Sequence, residues 1–251
     1  MARRPRSRSV RIVRAVGFSA LGAFALAIVG FLIWSQMVMA AEPGPLAAVT
    51  ADPAIAVTES DSAVVMTPTG DSSGAGLVFI PGAKVDPHAY ESVLAPLVEA
   101  GGTVVITKPI LNLAFFDLRG LDTFTDQAGE VSTWYVGGHS LGGVKACQLA
   151  SEADGLVLFG SYCANDLSDS GLRVLSIGGS EDGLSTPAKI DAAKGELPAD
   201  AVFVQIEGSN HAEFGSYGAQ PGDGVATISE AEAHEQIADA LLTYFPRAII
   251  D

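Results

Sequence analysis

At 251 residues the chain has room for one large domain or two small ones, and a hydrophobic content of 48% supplies a sizeable core. Its net charge of −15 hides an asymmetry: six of the 14 basic residues (Arg3, Arg4, Arg6, Arg8, Arg11 and Arg14) precede Ala15 with no acid among them, leaving 8 basic against 29 acidic residues in the rest, a net of −21. A body this acidic repels polyanions, which excludes nucleic acid as an expected partner.

The first predicted element is Ala15 to Trp34, an uncharged run of 20 residues. As a helix it spans the roughly 30 Å hydrocarbon core of a bilayer. Arginines on its N-terminal side alone predict a cytoplasmic N-terminus and an exported body. Residues 1–14 then form a basic cytoplasmic tail, 15–34 a transmembrane signal anchor, 35–52 an Ala/Pro-rich tether and 53–251 the folded domain. The alternative is secretion after cleavage near Ala40, because Val38-Met39-Ala40 resembles a signal-peptide cleavage site; the length of the apolar run favours the anchor.

Beyond the tether, predicted strands cover Ile55–Thr58, Ala63–Thr67, Leu77–Ile80, Thr103–Thr107, Trp134–Val136, Gly155–Phe159, Arg173–Ile177 and Val202–Ile206. Predicted helices cover Pro87–Ala100, Leu141–Ala153, Thr186–Lys194 and Ile228–Tyr244. Runs such as LVFI and LVLF are apolar at every position, as suits a parallel sheet buried on both faces. The alternation predicts an α/β, doubly wound, mostly parallel sheet of about eight strands, with the first two as an antiparallel lead-in.

Gly138-His139-Ser140-Leu141-Gly142-Gly143 sits where a strand meets a helix. A sharp turn there strains the central residue and tolerates only small neighbours. It lifts a serine hydroxyl to a helix N-terminus, where the Leu141 N–H can face a developing oxyanion. Ser140 is therefore the expected nucleophile. Its base should follow it in the chain, with the acid between them. Of the four histidines, His139 lies inside the turn with its side chain expected to point elsewhere, His88 comes too early, and His234 falls within the last helix. His211, in the loop after the last strand, remains. Asp182, in the glycine-rich turn after Leu175-Ser176-Ile177, is the expected acid; Glu181 beside it and Asp166 one loop earlier are the alternatives.

The second oxyanion donor is expected from Pro81-Gly82-Ala83-Lys84, with Ala83 first and Lys84 as alternative. Only Gly160 to Leu172 separates the sixth and seventh strands, too little for a lid, so an open site is expected. Tyr90, Leu111, Asn112, Leu113, Tyr162 and Phe214 are candidate lining residues by loop position alone, and substrate-binding residues stay unassigned.

Together the segments PGAKVDPHAY, PILNLAFFD, GGHSLGG, GSYCANDLS, GSEDGL and GSNHAEFGSYGAQPGDG resemble the small, lid-less bacterial α/β-hydrolase fold-5 type of domain, over roughly residues 75 to 245. The resemblance implies the same triad of Ser140, Asp182 and His211, and leaves the substrate open. The expected activity is hydrolysis of an ester or related small acyl substrate through an acyl-enzyme, with no cofactor and no metal. A catalytically inactive membrane-tethered binding module and an acyltransferase using the same triad are the alternatives. The oligomeric state is not indicated. Cys147 and Cys163 invite a disulfide in an exported protein, but Cys147 should lie about 10 Å down its helix, so the spacing argues mildly against one.

Overall fold

A computed structural model describes residues 8–129 and 131–245. The first seven residues of the expected basic tail lie outside the described residues. The described chain separates into two compact units that divide between Met37 and Val38.

The first unit carries helix α1, Arg8–Ser35. Its Gly17–Ser35 stretch is long and apolar enough to cross a membrane, and Gly17 to Trp34 are exposed. In the second unit, the segment expected to be a plain tether holds helix α2, Pro43–Ala51, with proline in its first turn. Its chain is also fastened down: the Met39 N–H donates to Lys84 O at 2.7 Å, and Met39 O accepts from the Asp86 N–H at 2.9 Å.

All eight expected strands form: β1 Ile55–Glu59, β2 Ala63–Pro68, β3 Ala75–Ile80, β4 Thr103–Thr107, β5 Thr133–His139, β6 Gly155–Phe159, β7 Arg173–Gly179 and β8 Val202–Ile206. They make one sheet in the order β1-β2-β4-β3-β5-β6-β7-β8. β1 and β2 pair antiparallel, and β2 also runs antiparallel to β4. From β4 to β8 every pairing is parallel. β3, β4 and β6 are buried at every position because both faces are covered. Leu77 and Phe79 of β3 join one core, while Val78 and Ile80 join the other, as the two-residue period of a strand requires.

Helices α3 (Glu91–Glu99) and α7 (Glu230–Tyr244) bury Val93, Leu94, Ile237 and Leu241 in the first core. The opposite core takes Phe124 from α4 (Asp122–Thr125), and Ala146 and Cys147 from α5 (Leu141–Leu149). Helix α6 spans Pro187–Ala192, with the Thr186 side chain capping its N-terminus. A capping box of Ser229 and Glu232 starts α7 two residues later than expected. Residues 160–172 contain no helix or strand, so no lid interrupts the sheet there.

Cys147 and Cys163 form a disulfide, against the mild expectation from helical rise, with Cα atoms 5.6 Å apart. The loop after β6 turns back along α5 and closes the gap; the Asn165 side-chain amide donates to Cys147 O on the same path.

Burial makes one helix histidine acid-sensitive. His234 is pushed down to about 4, chiefly by burial, with a partial offset from a hydrogen bond to the Glu213 backbone. Glu230, 4.0 Å from its Nε2, is too far to reverse this. The folded chain therefore resists a proton that the unfolded chain accepts near 6.5. Stability is full above pH 6.5 and falls as pH drops toward 4, by roughly 3 kcal/mol from this residue. His234→Gln is expected to flatten that slope in urea unfolding series at stepped pH; an unchanged slope would refute the assignment.

Candidate active site

Six strands, β3 to β8, point their C-terminal ends to one edge of the sheet, where sites on such folds assemble. Ser140 sits there between β5 and α5, with φ 54° and ψ −124°. That left-handed φ is costly for a residue with a Cβ. The turn is held from several sides. The Ser140 N–H donates to Phe159 O at 3.0 Å, and Ser140 O accepts from the Gly143 and Val144 N–H groups and from the Ser161 hydroxyl. A side chain at Gly142 would place its Cβ 2.0 Å from Ile80 O, so the turn's close approach to β3 requires glycine. The described residues with side chains at positive φ are Lys84, Leu111, Asn112 and Ser140, all in loops after β3, β4 and β5. Strain of this kind collects at functional sites.

His211 and Asp182, expected as base and acid, meet in the interior. His211 Nδ1 and Asp182 Oδ2 lie 2.7 Å apart, with both side chains fully buried. Asp182 Oδ1 accepts the Leu184 and Ser185 N–H groups at 2.8 and 2.6 Å. Asp182 thus spends one oxygen on its own turn and presents the other to the imidazole. The alternatives Glu181 and Asp166 are both exposed, and the carboxylate hydrogen-bonded to His211 is that of Asp182. The outward nitrogen of His211, Nε2, is buried with no hydrogen-bond partner among the described residues. Among the described residues no hydrogen bond joins it to Ser140; the His211 ring packs beside His139 of the elbow, with centroids 4.3 Å apart.

His139 does more than its sequence position suggests. Burial, and then the nearby His211, push its imidazole well below the ordinary range, so it is neutral. Burial pushes the Tyr90 phenol up, so it keeps its proton. The Tyr90 hydroxyl accepts the Gly82 N–H at 2.9 Å and lies 2.9 Å from His139 Nδ1. With Gly82 as its donor, its one proton satisfies the otherwise bare Nδ1. The elbow is thereby tied to the loop after β3.

That tie also sorts the N–H groups of the loop. Gly82 is committed to Tyr90, and the Lys84 N–H donates to Asn112 O at 2.8 Å, which removes Lys84 as the alternative donor. Among the described residues the Ala83 N–H has no acceptor, and Leu141 opens α5, where N–H groups lack helical partners.

Other expectations change. Tyr90 and Phe214 are fully buried and Leu113 nearly so; they pack the core instead of lining the site. Sequence reasoning also missed Asp223, within the quoted GAQPGDG segment. Its Oδ1 accepts the Gly183, His211 and Gly224 N–H groups, and its Oδ2 accepts the Ala212 N–H. One carboxylate thus joins the acid loop to the histidine loop. No cluster of three or more potential metal ligands occurs among the described residues.

A lid-less sheet of this order, with a strained serine at its central turn, defines the α/β-hydrolase class of fold. The model of the alpha/beta hydrolase family matches residues 76–235, more than half of the chain, and the chain belongs to that family. Among solved structures it is similar to a lid-less α/β serine hydrolase from Xanthomonas campestris, at 15% identity and TM-score 0.55, covering 78% of this chain and 97% of that one. It is also similar to the esterase domain of a Rhodothermus marinus protein, at 13% identity and TM-score 0.52, covering 76% and 96%. A predicted CIB-like hydrolase from Thermoplasma acidophilum has 13% identity and TM-score 0.55, covering 75% and 99%. At these identities the likeness concerns the fold. A search of curated proteins gives no match.

Proposed function

We propose that the protein is a serine hydrolase that cleaves a carboxylic ester or related acyl compound, held outside the cytoplasm by α1. The carrying observation is the buried Asp182–His211 pair, with His211 Nε2 unpartnered and its ring packed beside His139, the residue before the strained Ser140. In this reading Ser140 Oγ attacks the acyl carbon while its proton passes to His211 Nε2. Asp182 holds the imidazole by Nδ1 and stabilises the imidazolium. The Ala83 and Leu141 N–H groups hold the oxyanion. Collapse breaks the bond to the leaving alkoxide, which takes the proton from His211. Water, deprotonated by the same nitrogen, then attacks the acyl-enzyme and frees the acid and the serine.

The location rests on separate support. Six arginines, Arg3 to Arg14, precede the apolar stretch and no basic residue follows it before Lys84, and the disulfide suits an oxidising compartment. Retention of α1 is favoured because cleavage near Ala40 would sever Met39, which is hydrogen-bonded into the body.

The test is covalent labelling by a fluorophosphonate, with hydrolysis of an ester panel of graded acyl length. Labelling is expected at Ser140 and should be lost in Ser140→Ala and weakened in His211→Ala. Neither labelling nor hydrolysis in the intact protein would leave a binding module instead. The tie through Tyr90 gives a further check. Tyr90→Phe strands the Gly82 N–H and His139 Nδ1, which should cost about 2 kcal/mol in denaturant unfolding. By loosening the Ala83 loop it should lower kcat about tenfold, part of the roughly 10²–10³ lost with a whole oxyanion donor. Unchanged kcat would separate that loop from catalysis.

A further inference from the structure

The loops after β3 and β4 meet backbone to backbone, and both bend in ways that suit glycine better than the residues present. In the loop after β3, the Val85 N–H donates to Gly82 O at 3.2 Å and closes a four-residue turn. Its third residue, Lys84, has φ 60°, and Ala83 before it is not at positive φ. A closed turn with only its third residue left-handed is type II, where glycine or asparagine is the usual choice. The loop after β4 repeats the pattern. There the Asn112 N–H donates to Pro109 O at 2.9 Å, and Leu111, again the third residue, has φ 59° and ψ 20°. Asn112 follows with φ 56°. Leucine has no short polar side chain to ease this conformation, so something must hold it.

One hydrogen bond joins the two turns: the Lys84 N–H donates to Asn112 O at 2.8 Å. It selects the sense of the first turn. The same four residues could close as a type I turn, which needs no left-handed residue and has its central peptide turned over. In that form the Lys84 N–H would leave Asn112 O, and the Ala83 carbonyl would swing with it. Asn112 O therefore opposes the flip, and it lies where it does because Leu111 and Asn112 are both left-handed. Its base is fixed as well, since Pro109 is buried and the Arg119 guanidinium donates to Lys108 O at 2.8 Å. The Ala83–Lys84 peptide adjoins the Ala83 N–H, so its orientation sets the dipole beside a developing oxyanion.

We infer that Asn112 is a positioning residue. Its backbone carbonyl holds the Ala83–Lys84 peptide so that Ala83, and not Lys84, offers the loop's free N–H to the oxyanion. The loop after β4 thereby governs kcat more than substrate binding. This rests on the reading of Ser140 as nucleophile and Ala83 as oxyanion donor.

The test uses the full chain in detergent micelles with p-nitrophenyl acetate as substrate. Residue 112 is varied by its ease in the left-handed conformation, not by its chemistry. Asn112→Val, β-branched and ill suited to positive φ, should lower kcat at least about tenfold with KM within about twofold. Asn112→Gly is at ease there and should keep kcat within about threefold; Asn112→Ala, a milder change than valine, should fall between. In a Lys84→Gly background the turn no longer has to be held, so adding Asn112→Val should cost at most about threefold. Such non-additivity marks coupling of the two positions, whereas general damage to the fold would add. Amide hydrogen exchange at Lys84 should be slow in the parent and in Asn112→Gly, and faster in Asn112→Val. Equal losses in the glycine and valine variants would assign the effect to the Asn112 side chain and overturn the inference. So would an equal cost of Asn112→Val in both backgrounds, or no cost in either. Fluorophosphonate labelling of the parent keeps the two readings apart. If the parent does not label, the nucleophile fails, and exchange at Lys84, which needs no turnover, decides the clamp by itself.

Discussion

Ser140→Ala is expected to lower kcat on an activated ester by on the order of 10⁶-fold, the scale seen when a serine nucleophile is removed from an intact triad. The fold should not change. Alanine keeps the Cβ that makes φ 54° costly, and the backbone bonds to Phe159, Gly143 and Val144 do not involve the hydroxyl. Melting temperature should therefore match the parent. Ser140→Gly offers the complementary measurement: it is equally inactive, but it removes the Cβ from a left-handed position and should be more stable by about 1 kcal/mol. Activity lost together with a gain in stability would identify strain kept for the sake of the hydroxyl's position. His211→Ala should cost about as much as Ser140→Ala, and the double variant no more than either, because the two act as one unit. Turnover in Ser140→Ala within tenfold of the parent would refute the nucleophile.

Much of this architecture was legible because the signals were local. β3 and β6 carry no polar side chain, and β4 has only its two terminal threonines; burial on both sheet faces is why. The turn at Ser140 announces itself by the small residues its close packing needs. What escaped was held by contacts across loops, which leave no period in a sequence. Helix α2, rich in alanine and proline, buries only Val49 and reads as a linker. Met39 pairs with a loop more than 40 positions away. Asp223 is one acid among 29 until its oxygens are seen to collect four N–H groups from two loops. Tyr90 was placed near the site for its position, yet it serves from the interior, through Gly82 and His139. The disulfide depended on the path of the loop after β6, which no residue in that loop declares.

Asp182→Asn is expected to lower kcat about 10⁴-fold with little loss of stability, and the hydrogen bonds explain why. Oδ1 of Asp182 accepts two backbone N–H groups, from Leu184 and Ser185. An asparagine here must keep its carbonyl oxygen on that side, since its NH₂ group would face two donors. The NH₂ is thus turned toward His211, where it donates to Nδ1 across the present 2.7 Å contact. Nδ1 must then be the acceptor and Nε2 must carry the proton, so the base that faces the elbow has nothing left to accept with. The negative charge that would stabilise the imidazolium is lost as well. Asp182→Ala is a poorer probe, because it also strands the Leu184 and Ser185 N–H groups in a buried turn, at about 1–3 kcal/mol for each. Kinetics with fluorophosphonate and ester, set beside unfolding curves for the two variants, separate the tautomer from the fold. Glu181→Gln and Asp166→Asn, whose carboxylates do not touch His211, should remain within about twofold of the parent. A larger loss in either than in Asp182→Asn would move the acid's role to that residue.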